Sequence, residues 1–189
     1  MKAILNKPLS KNQLDDLTLG LVNAMRYSDP EVIYPEYDKA QPNDGVDPED
    51  FEEVYNGDND FSEINAIYQY ISQEAIFEDL GELMMGVALT EMKHADKLGD
   101  FILKIGGDTK KGWSNKDVSF GTTAKEALDF AISAERKTIA YYVDLKLRLQ
   151  QKEETTETIV IAVQLLSKLI ADEKVHLQLF RSMKAKLNE

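Results

Sequence analysis

The chain contains two histidines, and each follows a glutamate at the same short spacing. Glu91 and His94 lie in "ALTEMKHADKLGDF", and Glu173 and His176 lie in "IADEKVHLQLF". On a helix, side chains three positions apart share one face, with Cβ atoms about 5–6 Å apart. A carboxylate and an imidazole placed in this way can bind one metal ion jointly, so each pair is a candidate half of a metal site.

Two further glutamates extend the pattern into an internal repeat. Glu63 begins "EINAIYQY" and Glu135 begins "ERKTIAYY", so both stretches read E-x3-I-x2-Y and place Tyr70 and Tyr142 seven positions after the glutamate. All four glutamates and both histidines fall on apolar helical stripes, where a buried carboxylate is costly unless it has a partner. Because no lysine or arginine lies on these stripes at nearby levels, a metal is the best candidate partner.

Composition excludes several classes of function. The chain has 189 residues, a net charge of -12 and 43% hydrophobic residues, which suits a protein with a sizeable core that handles cations and disfavours nucleic acid and anionic membranes as partners. The absence of cysteine excludes disulfides, thiolate zinc sites and a rubredoxin-type iron site. No apolar run approaches the ~20 residues of a membrane span, and the N-terminal apolar run is too short for a signal peptide, so we expect a cytoplasmic protein.

Four long helices are predicted to position these residues, over about residues 60–75, 79–105, 123–149 and 156–187. Asp79 is the expected N-cap of the second helix, and Gly106 and Gly107 are expected to end it. The following connection of about 17 residues can extend to about 55 Å, whereas a 27-residue helix is about 40 Å long. The predicted fold class is therefore all-α, a four-helix bundle with one long crossover between its second and third helices.

The heights of the glutamates agree with this topology. In an antiparallel hairpin, residues equally far from the turn lie at the same level. The midpoint of positions 63 and 91 is 77, and that of positions 135 and 173 is 154, and both midpoints fall in predicted turns. Glu74 also faces inward on the first helix and is an alternative to Glu63, which the hairpin arithmetic favours. Asp172 is expected to support a ligand or to face solvent.

Residues 1–59 differ from the rest and are predicted to form an extension beside a bundle domain of residues 60–189. Its first part has Ser10 as a candidate N-cap and an apolar stripe of a helix, formed by Leu14, Leu17, Leu21 and Met25. The next part is acidic and carries four of the five prolines, with a short helical turn near Pro48 to Tyr55. A solvated arm or lid is the expected role, ahead of a dedicated functional segment.

The six residues and their setting resemble the ferritin-like diiron superfamily, and rubrerythrins and bacterioferritins within it, over about residues 60–187. This resemblance implies a site for two iron ions, with Glu63 and Glu135 as terminal ligands, Glu91 and Glu173 as bridges, and His94 and His176 capping one ion each. Four carboxylates balance the charge of two ferrous ions, and oxygen and imidazole ligands suit iron or manganese. Tyr70 and Tyr142 match family tyrosines near the metals, as candidate catalytic residues or as core aromatics bonded to ligand carboxylates.

The chain also departs from those relatives. Thr138 occupies the position of a second glutamate that rubrerythrins usually carry, and without a rubredoxin domain any electron donor would be a separate protein. Met92 stands where bacterioferritins place a haem-ligating methionine, although a methionine on a helix flank is more often ordinary packing. The extension could block the packing surfaces of the family's 24-subunit cage, so a smaller homo-oligomer such as a dimer is favoured.

The predicted function is that of a non-haem dinuclear iron oxidoreductase. It would couple oxidation of Fe2+ or of an electron carrier to reduction of O2 or H2O2, as a ferroxidase or peroxidase in iron handling or oxidative-stress defence. Iron storage or carriage, a dimanganese catalase-like activity and a metal-free structural bundle remain as alternatives.

Overall fold

The computed structural model describes residues 26–110 and 118–187, and this part of the chain is all-helical, which confirms the predicted fold class. A short 3-10 helix, Glu78–Leu80, lies between the second and third of five α-helices: α1 (Pro48–Asn56), α2 (Glu63–Ile76), α3 (Gly81–Lys104), α4 (Ala124–Gln150) and α5 (Glu157–Lys186). The last four α-helices are the four that were predicted. The N-terminal helix predicted from Ser10 lies outside the described residues.

The four long helices pack as two hairpins, α2 against α3 and α4 against α5, and α3 also contacts α5. The hydroxyl of Thr123 caps α4 by accepting from the backbone N–H of Glu126, and that of Thr156 caps α5 by accepting from Ile159. Both predicted turn positions fall between the helices of a hairpin, at Phe77 and in the loop 151–156. No helix within the described ranges has the length and apolar character needed to cross a membrane.

Of the two predicted ends of α3, the C-terminal one is correct and the N-terminal one is not. Its C-terminal end is as predicted: Gly106 takes a φ of 88°, and the N–H of Gly107 donates to the carbonyl of Ile102 at 2.9 Å. The prediction of Asp79 as N-cap is wrong, because α3 starts two residues later, at Gly81, and has no side-chain cap. Burial of Leu80 in the core brings the chain through the 3-10 turn first, and Asp79 lies within that turn.

Residues 26–62, the N-terminal segment, pack against the bundle, so the expectation of a solvated arm is wrong for this part. Its acids alternate with apolar side chains, and Val46, Phe51 and Val54 are buried in the same core as residues of α3, α4 and α5. α1 contacts both α2 and α3, and the helical turn predicted near Pro48 is confirmed as α1. The division of the chain near residue 60 stays a prediction, and the segment shares the bundle's core.

Phe51→Ala is expected to lower the free energy of unfolding by about 3–5 kcal/mol, because a fully buried ring is replaced by a cavity. The ring also packs edge-on against Phe101, with centroids 4.9 Å apart. Ile33→Ala is the matched control on the same segment, since Ile33 is 79% exposed and the change should stay within about 0.5 kcal/mol. Denaturant unfolding measures both effects. Equal effects of the two variants would contradict the packing of the N-terminal segment into the core of the bundle.

Candidate metal centre

The structure brings the six predicted ligand residues together in the middle of the bundle, each at most 2% exposed. They form two overlapping groups, and within each group one ligand atom per residue lies within 4.8 Å of every other: Glu63, Glu91, His94 and Glu173 in the first, and Glu91, Glu135, Glu173 and His176 in the second. Glu91 and Glu173 belong to both groups. Two cations, one in each group, would share these two carboxylates.

Each helix contributes according to its place in the repeat. α2 supplies Glu63 at its first position and α4 supplies Glu135, while α3 and α5 each supply a glutamate and the histidine one turn later. Glu74 is partly exposed and belongs to neither group, so the structure places Glu63 rather than Glu74 in the cluster.

Both histidines direct Nδ1 towards the shared carboxylates. Nδ1 of His94 lies 2.9 Å from Glu91 Oε2 and 3.2 Å from Glu173 Oε1. Nδ1 of His176 lies 3.0 Å from Glu91 Oε1 and 3.1 Å from Glu173 Oε2. The ring centroids are 5.7 Å apart. Nδ1 is therefore the nitrogen that each imidazole would offer to a metal ion.

Three buried carboxylate oxygens show that the cluster suits a cation. Glu63 Oε2, Glu91 Oε1 and Glu173 Oε1 accept no hydrogen bond from the described residues, although each faces a histidine Nδ1 at 3.0–3.4 Å. A buried acceptor without a donor costs about 1–3 kcal/mol, and more when it is charged. A divalent cation would satisfy these oxygens, and a donor set of oxygen and imidazole nitrogen without sulfur fits iron or manganese.

The outer nitrogen of each histidine has its own partner, which holds the ring in place. Nε2 of His94 lies 3.2 Å from Oδ2 of Asp172, and Nε2 of His176 lies 2.8 Å from the backbone carbonyl oxygen of Tyr27. Asp172 is fully buried, so it contacts His94 and does not face solvent. Sequence reasoning missed Tyr27, because every residue has a carbonyl and its type carries no signal.

A buried lysine lies beside this site, off the apolar stripes from which lysine and arginine were predicted to be absent. Lys168 is 4% exposed and lies one turn before Asp172, to which its ammonium donates at 2.8 Å. The six clustered residues accept nothing from it. The lysine thus neutralises Asp172 and leaves the clustered carboxylates for another cation.

The two predicted tyrosines cross between the hairpins to bond with the cluster. Tyr70 donates to Oε1 of Glu135 at 2.5 Å, and Tyr142 donates to Oε1 of Glu63. Burial, with the charge of these glutamates, raises the pKa of both phenols well above 10, so they remain protonated donors. This arrangement orients the carboxylates of Glu63 and Glu135, and a redox role of the tyrosines stays a prediction.

The ionisation of the cluster differs from residue to residue. Burial raises the pKa of Glu63 and Glu135 well above the usual value for glutamate. Burial acts against the charged form of Glu173 too, but hydrogen bonds from Glu135 and His176 and the charge of His94 hold its pKa well below that value. The pKa of Glu91 is lowered as well, since the two histidines outweigh burial and Glu173.

Both histidines are shifted towards the charged form. Burial lowers the pKa of each imidazole, but the carboxylates around it have the larger effect, led by Glu63 at His94 and by Glu91 at His176. The pKa of His176 rises to about 10. Protons therefore compete with a metal ion for these carboxylates and imidazoles.

The fold and the cluster together define a class of protein: a four-helix bundle with a buried carboxylate–histidine centre between its two hairpins. Comparison with known proteins agrees, because the ferritin-like domain matches residues 62–188, which is 127 of the 189 residues. The chain belongs to the ferritin-like family. Bacterioferritin of Desulfovibrio desulfuricans is similar to it, with 28% identity over 127 residues that cover 64% of this chain and 67% of the relative.

Proposed function

We propose that the protein is a dinuclear iron oxidoreductase that oxidises Fe2+, or an electron carrier, at the expense of O2 or H2O2. The observation that carries this proposal is the sharing of Glu91 and Glu173 by two groups of ligand atoms. Shared carboxylates hold two ions side by side, and the four glutamates balance the charge of two ferrous ions. When bound, the two ions would together supply two electrons, which convert O2 and two protons to H2O2, or H2O2 and two protons to two waters.

The side chains of this chain would prepare such a site in three ways. The histidines present Nδ1, and Tyr70 and Tyr142 hold the terminal carboxylates. Buried aromatic and aliphatic residues surround the cluster and exclude bulk water, as Phe180 does beside Tyr70 with ring centroids 5.3 Å apart.

The cluster also borders a small cavity. A narrow cavity between α2 and α4 reaches Glu63, Glu91, Glu135 and Glu173, and its other lining residues include Ala66, Ala134 and Thr138. Thr138 donates to the backbone carbonyl of Ala134 at 3.1 Å. Rubrerythrins, which the sequence resembles, usually carry a glutamate at this position, and the shorter threonine leaves the cavity uncharged at that side. The cavity has a volume of about 10 Å³, which is room for about one water-sized molecule.

Anaerobic loading with Fe2+ followed by addition of O2 tests the proposal. The wild-type chain should bind two Fe2+ per chain and then develop a near-ultraviolet ferric absorption band. Glu173→Ala should lose the band, because Glu173 serves both positions, whereas Glu74→Ala should keep it. Glu74 is the matched control because it is another glutamate of the bundle but lies outside both groups. Failure of the wild-type chain to bind Fe2+ would contradict the proposal, and elemental analysis of native protein would distinguish iron from manganese.

Iron storage is the second candidate, favoured by the similarity to a protein named bacterioferritin. Storage of a mineral core requires a closed shell of many chains, whereas we propose a small homo-oligomer such as a dimer, served by a separate electron-donor protein. Analytical ultracentrifugation distinguishes them, since a dimer encloses no cavity for a mineral. The predicted cytoplasmic location stays a prediction.

A further inference from the structure

The two halves of the centre are unequal at the residue that precedes each bridging glutamate. Asp172 precedes Glu173, and its carboxylate bonds Nε2 of His94 across the site. The repeat places Thr90 in the equivalent position before Glu91, where a carboxylate would serve His176 in the same way. The hydroxyl of Thr90 donates instead to the carbonyl of Gly86 at 3.4 Å. The carboxylate expected from the repeat is therefore absent at His176.

A segment from outside the bundle domain supplies an acceptor in its place. Residues 26–34, here called the strap, cross the ends of the two histidines, and the backbone carbonyl of Tyr27 lies 2.8 Å from Nε2 of His176. The next residues bind the support of the other histidine: Ser28 Oγ and the Asp29 N–H donate to Oδ1 of Asp172 at 3.0 and 2.6 Å. The strap thus supplies the partner of His176 and binds Asp172, the partner of His94.

Gly86 lets the strap approach this closely. The ring of Tyr27 lies on the backbone of α3, and a Cβ atom at position 86 would be 2.2 Å from the ring carbons Cε2 and Cζ. The Tyr27 hydroxyl donates to the carbonyl of Glu82, one turn earlier on α3, at 3.3 Å. Any side chain at position 86 would therefore displace the ring of Tyr27, the residue whose backbone carbonyl lies at His176.

We propose that the strap is a functional part of the metal centre. Gly86 leaves room for the ring of Tyr27 against α3. The backbone carbonyl of Tyr27 then positions His176, in place of the carboxylate that is missing at position 90. This inference rests on the proposed metal-binding function. It gives the two cation positions different affinities, since Nε2 of His94 contacts a carboxylate and Nε2 of His176 contacts a neutral carbonyl. Loss of such an outer partner typically costs about 10–100-fold in metal affinity. Displacement of the strap should therefore weaken the His176 position first.

The test compares two glycine substitutions in α3 of the full chain. Gly86→Ala displaces Tyr27, whereas Gly99→Ala is the matched control, because a Cβ there meets its nearest neighbour, Tyr55 Cε2, at an ordinary 3.5 Å. Both changes raise helix propensity equally. Anaerobic calorimetric titration with Fe2+ should give two sites in the wild type and in Gly99→Ala. In Gly86→Ala one site should weaken by about 10–100-fold while the other keeps its affinity.

A rescue variant separates positioning from a general loss of structure. In the Gly86→Ala background, Thr90→Asp should restore the weakened site, because a carboxylate then reaches His176 as Asp172 reaches His94. Tyr27→Ala removes the ring that anchors the strap without adding bulk, and should weaken the same site. Melting of the metal-free variants checks that they are folded.

The outcomes distinguish this inference from the proposed function. A wild-type chain that binds no pair of ions overturns the proposed function and this inference together. A wild-type chain with two sites, combined with equal titrations of Gly86→Ala and Gly99→Ala, overturns the inference alone. Failure of Thr90→Asp to restore the weakened site also overturns it.

Discussion

Glu91→Gln is expected to abolish paired metal binding, with a loss of more than about 100-fold in affinity at both positions. Glu91 faces both histidines, with Oε2 at 2.9 Å from His94 Nδ1 and Oε1 at 3.0 Å from His176 Nδ1. The amide keeps the shape of the side chain but removes one negative charge and replaces one ligand oxygen by a donor. Supporting partners alone are worth about 10–100-fold, so a ligand shared by two ions should exceed that range.

Glu63 and Glu135 each belong to one group only, so their variants test whether Glu91 is shared by both groups. Glu63 belongs only to the group of His94 and Glu135 only to the group of His176, so Glu63→Gln and Glu135→Gln should each weaken one position and spare the other. Each glutamine resembles the protonated carboxyl that burial already favours there, so the metal-free variants should melt near the wild-type temperature.

Thermal unfolding with added Fe2+ under anaerobic conditions measures these differences. A ligand that binds only the folded state at about 100 times its Kd stabilises it by about 2.7 kcal/mol per site. Wild-type protein should show the full shift in Tm, the terminal variants a partial shift, and Glu91→Gln almost none. Full stabilisation of Glu91→Gln would show that Glu91 is not a shared ligand, and loss of both sites in Glu63→Gln would contradict two separate groups.

Binding of two divalent ions is expected to release up to four protons: one each from Glu63 and Glu135, and one from each imidazole. The pKa of each of these four groups is raised, and metal binding requires their deprotonated forms. Protons therefore compete with metal, and affinity must rise with pH. With two protons per ion, the increase is about two decades per pH unit.

The pH window follows from the same shifts. His176, with a pKa of about 10, holds its proton throughout the neutral range, so affinity should still increase above pH 7. Calorimetry in buffers of different ionisation enthalpy counts the protons released. Glu135→Gln is the matched control, because its amide has no proton to lose and one proton fewer should appear. Metal binding that is independent of pH between about 6 and 8 would show that the four groups are already deprotonated.

Local and periodic features were within reach of sequence reasoning. The apolar stripes marked the four helices, and Gly106 marked the end of α3, because both depend on the chain within a few residues. The grouping of the six cluster residues could also be predicted, since helical spacing puts a glutamate and its histidine on one face and hairpin symmetry sets the heights of the others. Their role as metal ligands stays a prediction.

Tertiary packing decided what surrounds that cluster. Asp79 carries the residue type of an N-cap, but burial of Leu80 moved the start of α3 past it. The partner of Nε2 of His176 is a backbone carbonyl 149 positions away in the chain, and no residue type predicts such a contact. The sequence by itself determined which side chains meet, because helix geometry is periodic. Only the folded chain decided what holds them, because long-range contacts depend on how the N-terminal segment packs against the bundle.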